Sequence, residues 1–295
     1  MTAAQNAAQF AGRPRRSALY MPAGNARAIE KARTLPADAV ILDLEDSMAP
    51  DAKDAARAMA VDAVRGGGFG PREVVVRING LDTPWGAEDL EAAAAAGPNA
   101  ILLPKVSSIE DLAAGAGVVR GRARLWAMIE TCQAVFRLDA LAAASRSLGV
   151  DVWVIGGNDL VKEMRCTPGD DRAPLIPALA LSVMAARAHG LTILDGVYND
   201  IPDLDGLARE CAQGQALGFD GKSLIHPSHL AIANAAFAPA AAEVAWARTV
   251  VAAYAAPENA KAGVIKVEGR MVERLHLAEA LRLIAVADAI AAREV

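Results

Sequence analysis

The chain has 295 residues, of which 54% are hydrophobic and 22% are charged, a composition typical of a globular protein with a large core. Its net charge of −5 and pI of about 5.5 argue against a nucleic-acid-binding surface. No run approaches the roughly 18 apolar residues of a membrane helix, and three cysteines without a CxxC pair argue against a disulfide framework or structural zinc.

The amino-terminal stretch "MTAAQNAAQFAGRPRRS" lacks the apolar centre of a signal peptide. We therefore expect residues 1–14 to be a disordered lead-in and the protein to be cytoplasmic.

Eight short apolar runs follow, each succeeded by a pattern typical of a helix. The runs are continuously apolar rather than alternating, as in parallel strands that are covered on both faces. Eight strand–helix units predict an α/β fold, a (β/α)8 TIM barrel over residues 15–230. A doubly wound sheet is the alternative, although its glycine-rich phosphate turn after the first strand is missing. The predicted strands are 17–23, 39–46, 73–80, 100–106, 124–131, 150–159, 192–200 and 219–227.

The pattern changes after about residue 230. The segment "AEVAWARTVVAAYAA" predicts a helix, Glu268-Gly269 a hairpin turn, and "LHLAEALRLIAVADAIAAR" a last amphipathic helix. We expect 231–295 to form a C-terminal helical appendage that covers an active site, either its own or that of a neighbouring subunit.

Charged residues gather where the predicted strands end. Active sites of such barrels lie at the carboxyl ends of the strands, so these side chains are the candidates for chemistry. They are Glu45, Asp46, Arg77, Lys105, Glu130, Asp159, Asp195, Asp200 and His226.

Two of these acids suit a divalent cation. Glu130 closes the apolar run "AMIET" and Asp159 follows the next strand in "GGNDL". Carboxylates without thiolates favour Mg²⁺, which takes one or two of them and keeps several waters. The alternative is that both are loop acids or helix N-caps.

Two basic residues have competing interpretations. Arg77 ends the apolar strand "VVVRING", where a guanidinium can bind a substrate carboxylate through two hydrogen bonds. It can equally form a structural pair with Glu45 or Asp46. Lys105 is a Schiff-base candidate by residue type, but neutralisation of the acidic rim is the favoured interpretation.

Several segments together resemble one family. The segments "RSALYMPAGNARAIEKA", "VILDLEDS", "VVVRINGLDTPWG", "ILLPKVSS", "AMIET", "GFDGKSLIHPSHL" and "GRMVERLHLAEA" are similar, in the same order, to blocks of the citrate lyase β-subunit-like group. That group includes the malyl-CoA, β-methylmalyl-CoA and citramalyl-CoA lyases. The resemblance runs from about Arg16 to the carboxyl terminus.

The resemblance implies a trimeric or hexameric barrel that binds Mg²⁺ and a coenzyme A or acyl-carrier thioester. The metal ligands of the family match Glu130 and Asp159, and its arginine for the oxo-acid carboxylate matches Arg77. Glu45 and Asp46 match acids that meet metal-bound water there, which leaves Asp43 a structural role.

Two further carry-overs are less direct. Arg16 matches a basic residue near the coenzyme A phosphates. Glu273 in "GRMVER" stands where the family usually has an aspartate, which in several lyases comes from a neighbouring subunit and transfers a proton. The alternative role for Glu273 is an acid that stabilises the dipole of the last helix.

The sequence departs from the family pattern at three positions. Asn158 stands where the family often has an acid, Glu273 replaces the aspartate, and His229 replaces a glutamine. The loss of a charge at Asn158 bears on metal affinity or substrate choice.

We therefore expect a Mg²⁺-dependent carbon–carbon lyase or synthase that interconverts a small acyl-CoA thioester with an acyl-CoA and glyoxylate, pyruvate or oxaloacetate. One alternative is a class II pyruvate aldolase that takes aldehydes without coenzyme A. The other is a non-catalytic or weakly catalytic thioester-binding subunit of a larger lyase complex. We expect a homo-oligomer and no membrane or nucleic-acid partner.

Overall fold

The computed structural model describes residues 13–293. All but the last two residues of the predicted lead-in, 1–14, lie outside the described residues. Two compact units follow along the chain, Arg15–Phe237 and a second that begins at Ala238.

The first unit is a closed barrel of eight parallel strands in the order β1 to β8, with β8 pairing back onto β1. This confirms the predicted (β/α)8 barrel, and the closure of the sheet excludes the doubly wound alternative. The strands are β1 Ser17–Pro22, β2 Ala39–Asp43, β3 Glu73–Arg77, β4 Ala100–Leu103, β5 Arg124–Ile129, β6 Val150–Ile155, β7 Thr192–Asp195 and β8 Gly221–Leu224.

Ten helices of the first unit connect or follow these strands. Four of them start at side-chain caps that the sequence supplies. Asn25 accepts from the backbone N–H of Ala28, and Ser108 and Asp111 form a capping box. Thr131 and Asp203 cap two further helices in the same way. The helices are α1 Ala26–Ala32, α2 Lys53–Gly66, α3 Gly86–Ala96, α4 Ile109–Val119, α5 Cys132–Val135, α6 Leu138–Ser145, α7 Gly157–Met164, α8 Ile176–Ala188, α9 Leu204–Leu217 and α10 Leu230–Ala236. Short 3₁₀ turns lie at Pro50–Ala52, Arg146–Leu148, Ala173–Leu175 and Pro227–His229.

Alternate residues of each strand supply two separate apolar cores. Inward-facing side chains such as Ile41, Trp126 and Val154 fill the barrel. Outward-facing side chains such as Leu42 and Trp153 pack against the surrounding helices. This double coverage explains why the strands are continuously apolar in the sequence.

A buried cluster of charges ties β7 and β8 to the outer helices. Lys222 is fully buried, and its ammonium lies 3.0 Å from Asp195 Oδ2 and 2.7 Å from Glu210 Oε1. Arg172 Nη1 donates to both oxygens of Asp195, at 2.8 and 3.0 Å. Burial alone would raise the pKa of Asp195, but Lys222 and Arg172 outweigh it and hold that pKa below its usual value.

The second unit contains α11 Ala241–Ala255, β9 Val264–Val267, β10 Arg270–Glu273 and α12 Arg274–Ala291. Glu268 and Gly269 both have positive φ, +48° and +82°, and join β9 to β10 in an antiparallel pair. The predicted hairpin is thereby confirmed. The positive angles are those of a two-residue hairpin turn whose twist matches the twist of the two strands that it joins. Tyr254 anchors the unit, since its hydroxyl donates to the carbonyl of Val272 at 2.9 Å.

One stretch, Pro227–Ala255, is long and apolar enough to cross a membrane by length and composition. The helical backbone is interrupted within it at residues 237–240, between α10 and α11.

Candidate active site

Because all eight strands are parallel, the residues that end them share one rim of the barrel. Glu45 and Asp46 follow β2, Arg77 is the last residue of β3, and Glu130 follows β5 directly. Asp159 is the third residue of α7, just after β6. The structure thus brings together five of the seven predicted site residues.

Glu130 is a buried carboxyl group with one oxygen left open. Its side chain is inaccessible to solvent, and Oε1 accepts the backbone N–H of Lys105 at 2.6 Å. Oε2 has no hydrogen-bond partner. Burial raises the pKa of Glu130 to about 7, although Lys105 opposes the shift. A cation at Oε2 would remove the penalty for ionising this group.

Gly156 makes the room for this side chain. A Cβ atom at residue 156 would lie 2.2 Å from Glu130 Oε2 and 2.4 Å from Glu130 Cβ. Any side chain there would displace the carboxyl group. Sequence reasoning missed Gly156, for which the doubled glycine of "IGGND" was the available signal.

Asp159 and Lys105 form an ion pair at the same place. Lys105 Nζ lies 2.5 Å from Asp159 Oδ1 and 3.7 Å from Glu130 Oε1. The ammonium therefore neutralises the acidic rim, in line with the favoured interpretation of Lys105. The N-cap alternative for Asp159 is wrong, because Gly156 holds that position of α7.

The donor set fits a magnesium ion. Glu130 and Asp159 offer carboxylate oxygens, the ligands that Mg²⁺ prefers, and Oε2 of Glu130 is buried and unpartnered. Between residues 13 and 293, no group of three or more histidines, cysteines and acids is placed to hold a metal. Two carboxylates suffice for Mg²⁺, which completes its shell with water and substrate.

Arg77 is held by Asp43, to which the sequence analysis assigned only a structural role. Its Nε and Nη2 donate to the two oxygens of Asp43, at 2.6 and 2.8 Å. Its Nη1 faces the other acids of the rim, 2.9 Å from Glu45 Oε2 and 3.2 Å from Asp46 Oδ2. Although burial opposes it, Arg77 lowers the pKa of Asp43. One nitrogen of the guanidinium therefore remains directed at the rim.

The two acids after β2 differ in their surroundings. Burial raises the pKa of Glu45 to about 8, despite the nearby charge of Arg77. The side chain of Asp46 is 64% exposed. Glu45 can therefore exchange a proton near neutral pH.

Tyr20 is a second residue that sequence reasoning missed. The Arg77 guanidinium lies over its ring, 4.7 Å from the centroid, a favourable cation–π arrangement. The Tyr20 hydroxyl faces Met128 Sδ at 3.9 Å. The sequence indicated this stacking only through the presence of an aromatic residue in the first predicted strand.

The structure does not bring Arg16 to the rim. Arg16 precedes β1, at the amino-terminal end of the barrel, and its guanidinium binds Asp38 through Nε and Nη2 at 2.9 and 3.1 Å. The role of Arg16 near the coenzyme A phosphates stays a prediction. Arg16 comes directly before the first strand. In a parallel barrel the residues before a strand lie at the opposite end from those that follow it, so the sequence already indicated this position.

Glu273 belongs to the second unit. It is the last residue of β10, and its backbone N–H donates to His276 Nδ1 at 2.9 Å at the start of α12. The catalytic role of Glu273 stays a prediction.

Comparison with known proteins identifies the family. Residues 16–227 match the family model of the HpcH/HpaI aldolase/citrate lyase family. The chain is 48% identical over 279 residues to a (3S)-malyl-CoA thioesterase of Cereibacter sphaeroides, covering 95% of this chain and 96% of that protein. It is 35% identical to the citrate lyase subunit beta of Escherichia coli, covering 88% and 89%.

A solved structure is similar as well. It is the protein CitE from Mycobacterium tuberculosis in complex with magnesium, acetoacetate and coenzyme A. That chain is 31% identical, with a TM-score of 0.73 and coverage of 94% of this chain and 98% of that one. With its barrel, its acidic rim and these matches over most of its length, the chain belongs to the HpcH/HpaI aldolase/citrate lyase family.

Proposed function

We propose that this protein is a Mg²⁺-dependent carbon–carbon lyase that acts on a small 3-hydroxyacyl-CoA thioester of the malyl kind. The observation that carries the proposal is the pair Glu130 and Asp159, in which a buried carboxylate oxygen has no partner. The products are a 2-oxo acid and an acyl-CoA. The family and the ligands named for the related CitE complex support the same choice.

Glu130 and Asp159 are the residues that would hold the ion. When bound, Mg²⁺ supplies Lewis-acid polarisation of a substrate oxygen. Arg77 Nη1 would exchange its pairs with Glu45 and Asp46 for a pair with the carboxylate of the substrate, while Asp43 and the Tyr20 ring fix the plane of its guanidinium. The substrate would thus be oriented by charged groups already in place.

The cleavage is a retro-aldol step. A base on the protein removes the proton of the 3-hydroxyl group, the C2–C3 bond breaks, and its electron pair moves into the thioester as an enolate. Protonation at C2 then gives the acyl-CoA. Glu45 and Asp46 lie at the rim where the hydroxyl would bind, and Glu273 is the residue that we propose for proton transfer.

A second candidate reaction is hydrolysis of the same thioester. The 48% identity to a (3S)-malyl-CoA thioesterase favours it. In that reaction the oxygen of water adds to C1, the C–S bond breaks, and the coenzyme A thiol leaves with a proton. The hydroxy-acid end would be bound in the same way, so the two reactions differ in which bond breaks and in whether water is consumed.

One substrate separates these candidates. Purified protein with Mg²⁺ and (3S)-malyl-CoA should release glyoxylate and acetyl-CoA in equal amounts, without free thiol, if the protein is a lyase. Free coenzyme A and malate would show hydrolysis instead. Glu130→Gln should abolish either activity. Turnover of pyruvate with an aldehyde alone would favour the aldolase, and no turnover of any thioester would favour a non-catalytic subunit.

We also propose that the protein is cytoplasmic and forms a homo-oligomer, a trimer or hexamer, in which Glu273 serves a neighbouring subunit. The mass in solution by light scattering tests the assembly. Mixed oligomers of Glu130→Gln and Glu273→Gln chains test the sharing, because only shared sites would regain activity.

A further inference from the structure

One side chain, Lys105, contacts both proposed metal ligands. Its backbone N–H donates to Glu130 Oε1 at 2.6 Å. Its ammonium lies 2.5 Å from Asp159 Oδ1 and 3.7 Å from Glu130 Oε1. The lysine therefore joins two carboxylates that come from different strand–helix units.

The backbone at this point is itself unusual. Lys105 has φ of +55°, in the left-handed region that residues other than glycine, asparagine and aspartate seldom adopt. Such a conformation persists only where the surroundings impose it. Here it directs the N–H toward Glu130 while the side chain reaches Asp159.

The ammonium lies beside the position that a shared cation would occupy. A divalent ion bound by the open Oε2 of Glu130 and by the Asp159 carboxylate would lie close to the ammonium, which pairs with Asp159 Oδ1 and lies 3.7 Å from Glu130 Oε1. Mg²⁺ and an ammonium repel each other at such short separations, so binding of the ion favours movement of the ammonium away from Asp159. The lysine side chain is flexible and 37% exposed, which gives it a path into solvent.

We propose that Lys105 is a built-in counter-ion of the metal-free site, and that Mg²⁺ must displace its ammonium in order to bind. This inference rests on the metal site of the proposed function. The backbone N–H of Lys105 stays with Glu130 in both states, so the ligand remains in place while the cation is exchanged. Lys105 thereby limits metal affinity without being a ligand.

Substitution of the lysine tests this with Mn²⁺, which accepts the same oxygen ligands. Lys105→Met keeps a Cβ and similar length, so the backbone of residue 105 is unchanged and only the charge is lost. The matched control is Lys162→Met, because Lys162 is exposed on α7 three residues from Asp159. Metal-free protein of each kind is titrated with Mn²⁺ and the free ion is measured by electron paramagnetic resonance. Melting temperature is recorded with and without the ion.

Lys105→Met should bind Mn²⁺ at least about fivefold more tightly than the wild type, the lower end of ordinary coupling between two bound species. Lys162→Met should stay within about twofold, because exposed charges are screened. Metal-free Lys105→Met should also gain more in melting temperature from Mn²⁺ than the wild type gains.

Unchanged or weaker Mn²⁺ binding by Lys105→Met would overturn the inference, provided that the wild type binds the ion and Glu130→Gln does not. If the wild type itself binds no Mn²⁺, the metal site of the proposed function is wrong and this inference falls with it.

Discussion

Arg77 and Asp43 are paired residues at the ends of adjacent strands, and their side chains form a two-point ion pair. The strands place the two residues directly opposite each other. Nε and Nη2 of the arginine meet the two oxygens of the aspartate at 2.6 and 2.8 Å. The third nitrogen is consequently fixed in position, since the plane of the guanidinium cannot turn.

Arg77→Lys should therefore lower kcat/KM even though it keeps the charge. An ammonium cannot span Asp43 and also present a donor at the position of Nη1. A hydrogen bond to a charged group contributes about 1.5–3 kcal/mol, so we expect a loss of roughly 10- to 150-fold. Arg57→Lys is the control, because Arg57 pairs with Asp89 between the outer helices α2 and α3. Steady-state kinetics at the wild-type level in Arg77→Lys would mean that the arginine is only structural.

Gly156→Ala should disable the site with little change in the fold. The added methyl group would collide with the Glu130 carboxyl group, and a displacement of about 1 Å can cost on the order of 10²-fold in rate. The neighbouring Gly157→Ala is the control, because a Cβ there meets nothing within 4 Å. Since residue 157 begins α7, that change should be neutral or stabilise the helix by up to about 1 kcal/mol. Equal activity in the two variants would contradict the role of Gly156.

Stability in acid should depend on Asp195. Lys222 and Arg172 hold its folded-state pKa below the usual value. A depressed carboxyl pKa contributes stability above the unfolded value, about 3.9, and this stability is lost as the pH falls through the lower folded value. The free energy of unfolding of the wild type, measured with denaturant, should therefore fall steeply below about pH 4.

Asp195→Asn should show a smaller change over the same range of pH. It should also cost about 3–5 kcal/mol at pH 7, because two buried cations lose a partner. Asp62→Asn, an exposed change on α2, should leave the pH dependence as in the wild type. Parallel curves for wild type and Asp195→Asn would refute the assignment.

Glu273→Gln tests proton transfer by the second unit. If Glu273 is the acid or base, turnover should fall by about 10²- to 10⁴-fold while Mn²⁺ binding at Glu130 and Asp159 is unchanged. If Glu273 only favours the dipole of α12, the change should cost about 0.3–1 kcal/mol of stability and leave turnover intact. Glu273→Asp refines the result, because it keeps the carboxyl group but shortens its reach by one methylene.

The barrel could be predicted from the sequence because each strand is covered on both faces and so remains apolar along its whole length. Predicted strands extended two to five residues too far in most cases; the run 192–200, for example, contains a strand of only Thr192–Asp195. The residues just after each strand are apolar or charged because of the site that they form. Their pattern has no periodicity, so it does not show where the strand ends.

The rim residues could be predicted from their place after the strands, but their partners could not. Asp43 is the last residue of β2, and only its register with Arg77 shows that it orients the guanidinium. Gly156 matters because it lies against Glu130, 26 positions earlier in the chain. A single sequence does not show that two such distant residues are in contact. Arg16 was assigned by resemblance alone, and the direction of the strand places it at the opposite end of the barrel from the acidic rim.

The buried charges around Lys222 also restrict how the barrel can be divided. Arg172, Asp195, Glu210 and Lys222 come from four successive pieces of the last quarter of the barrel. A fragment that ends before β8 would hold Asp195 and Arg172 without Lys222, and one that begins at β8 would bury a lysine with no acid. Complementation between fragments should therefore succeed only where the cut lies before Arg172 or after Lys222, so that these charges enter the fold on one polypeptide.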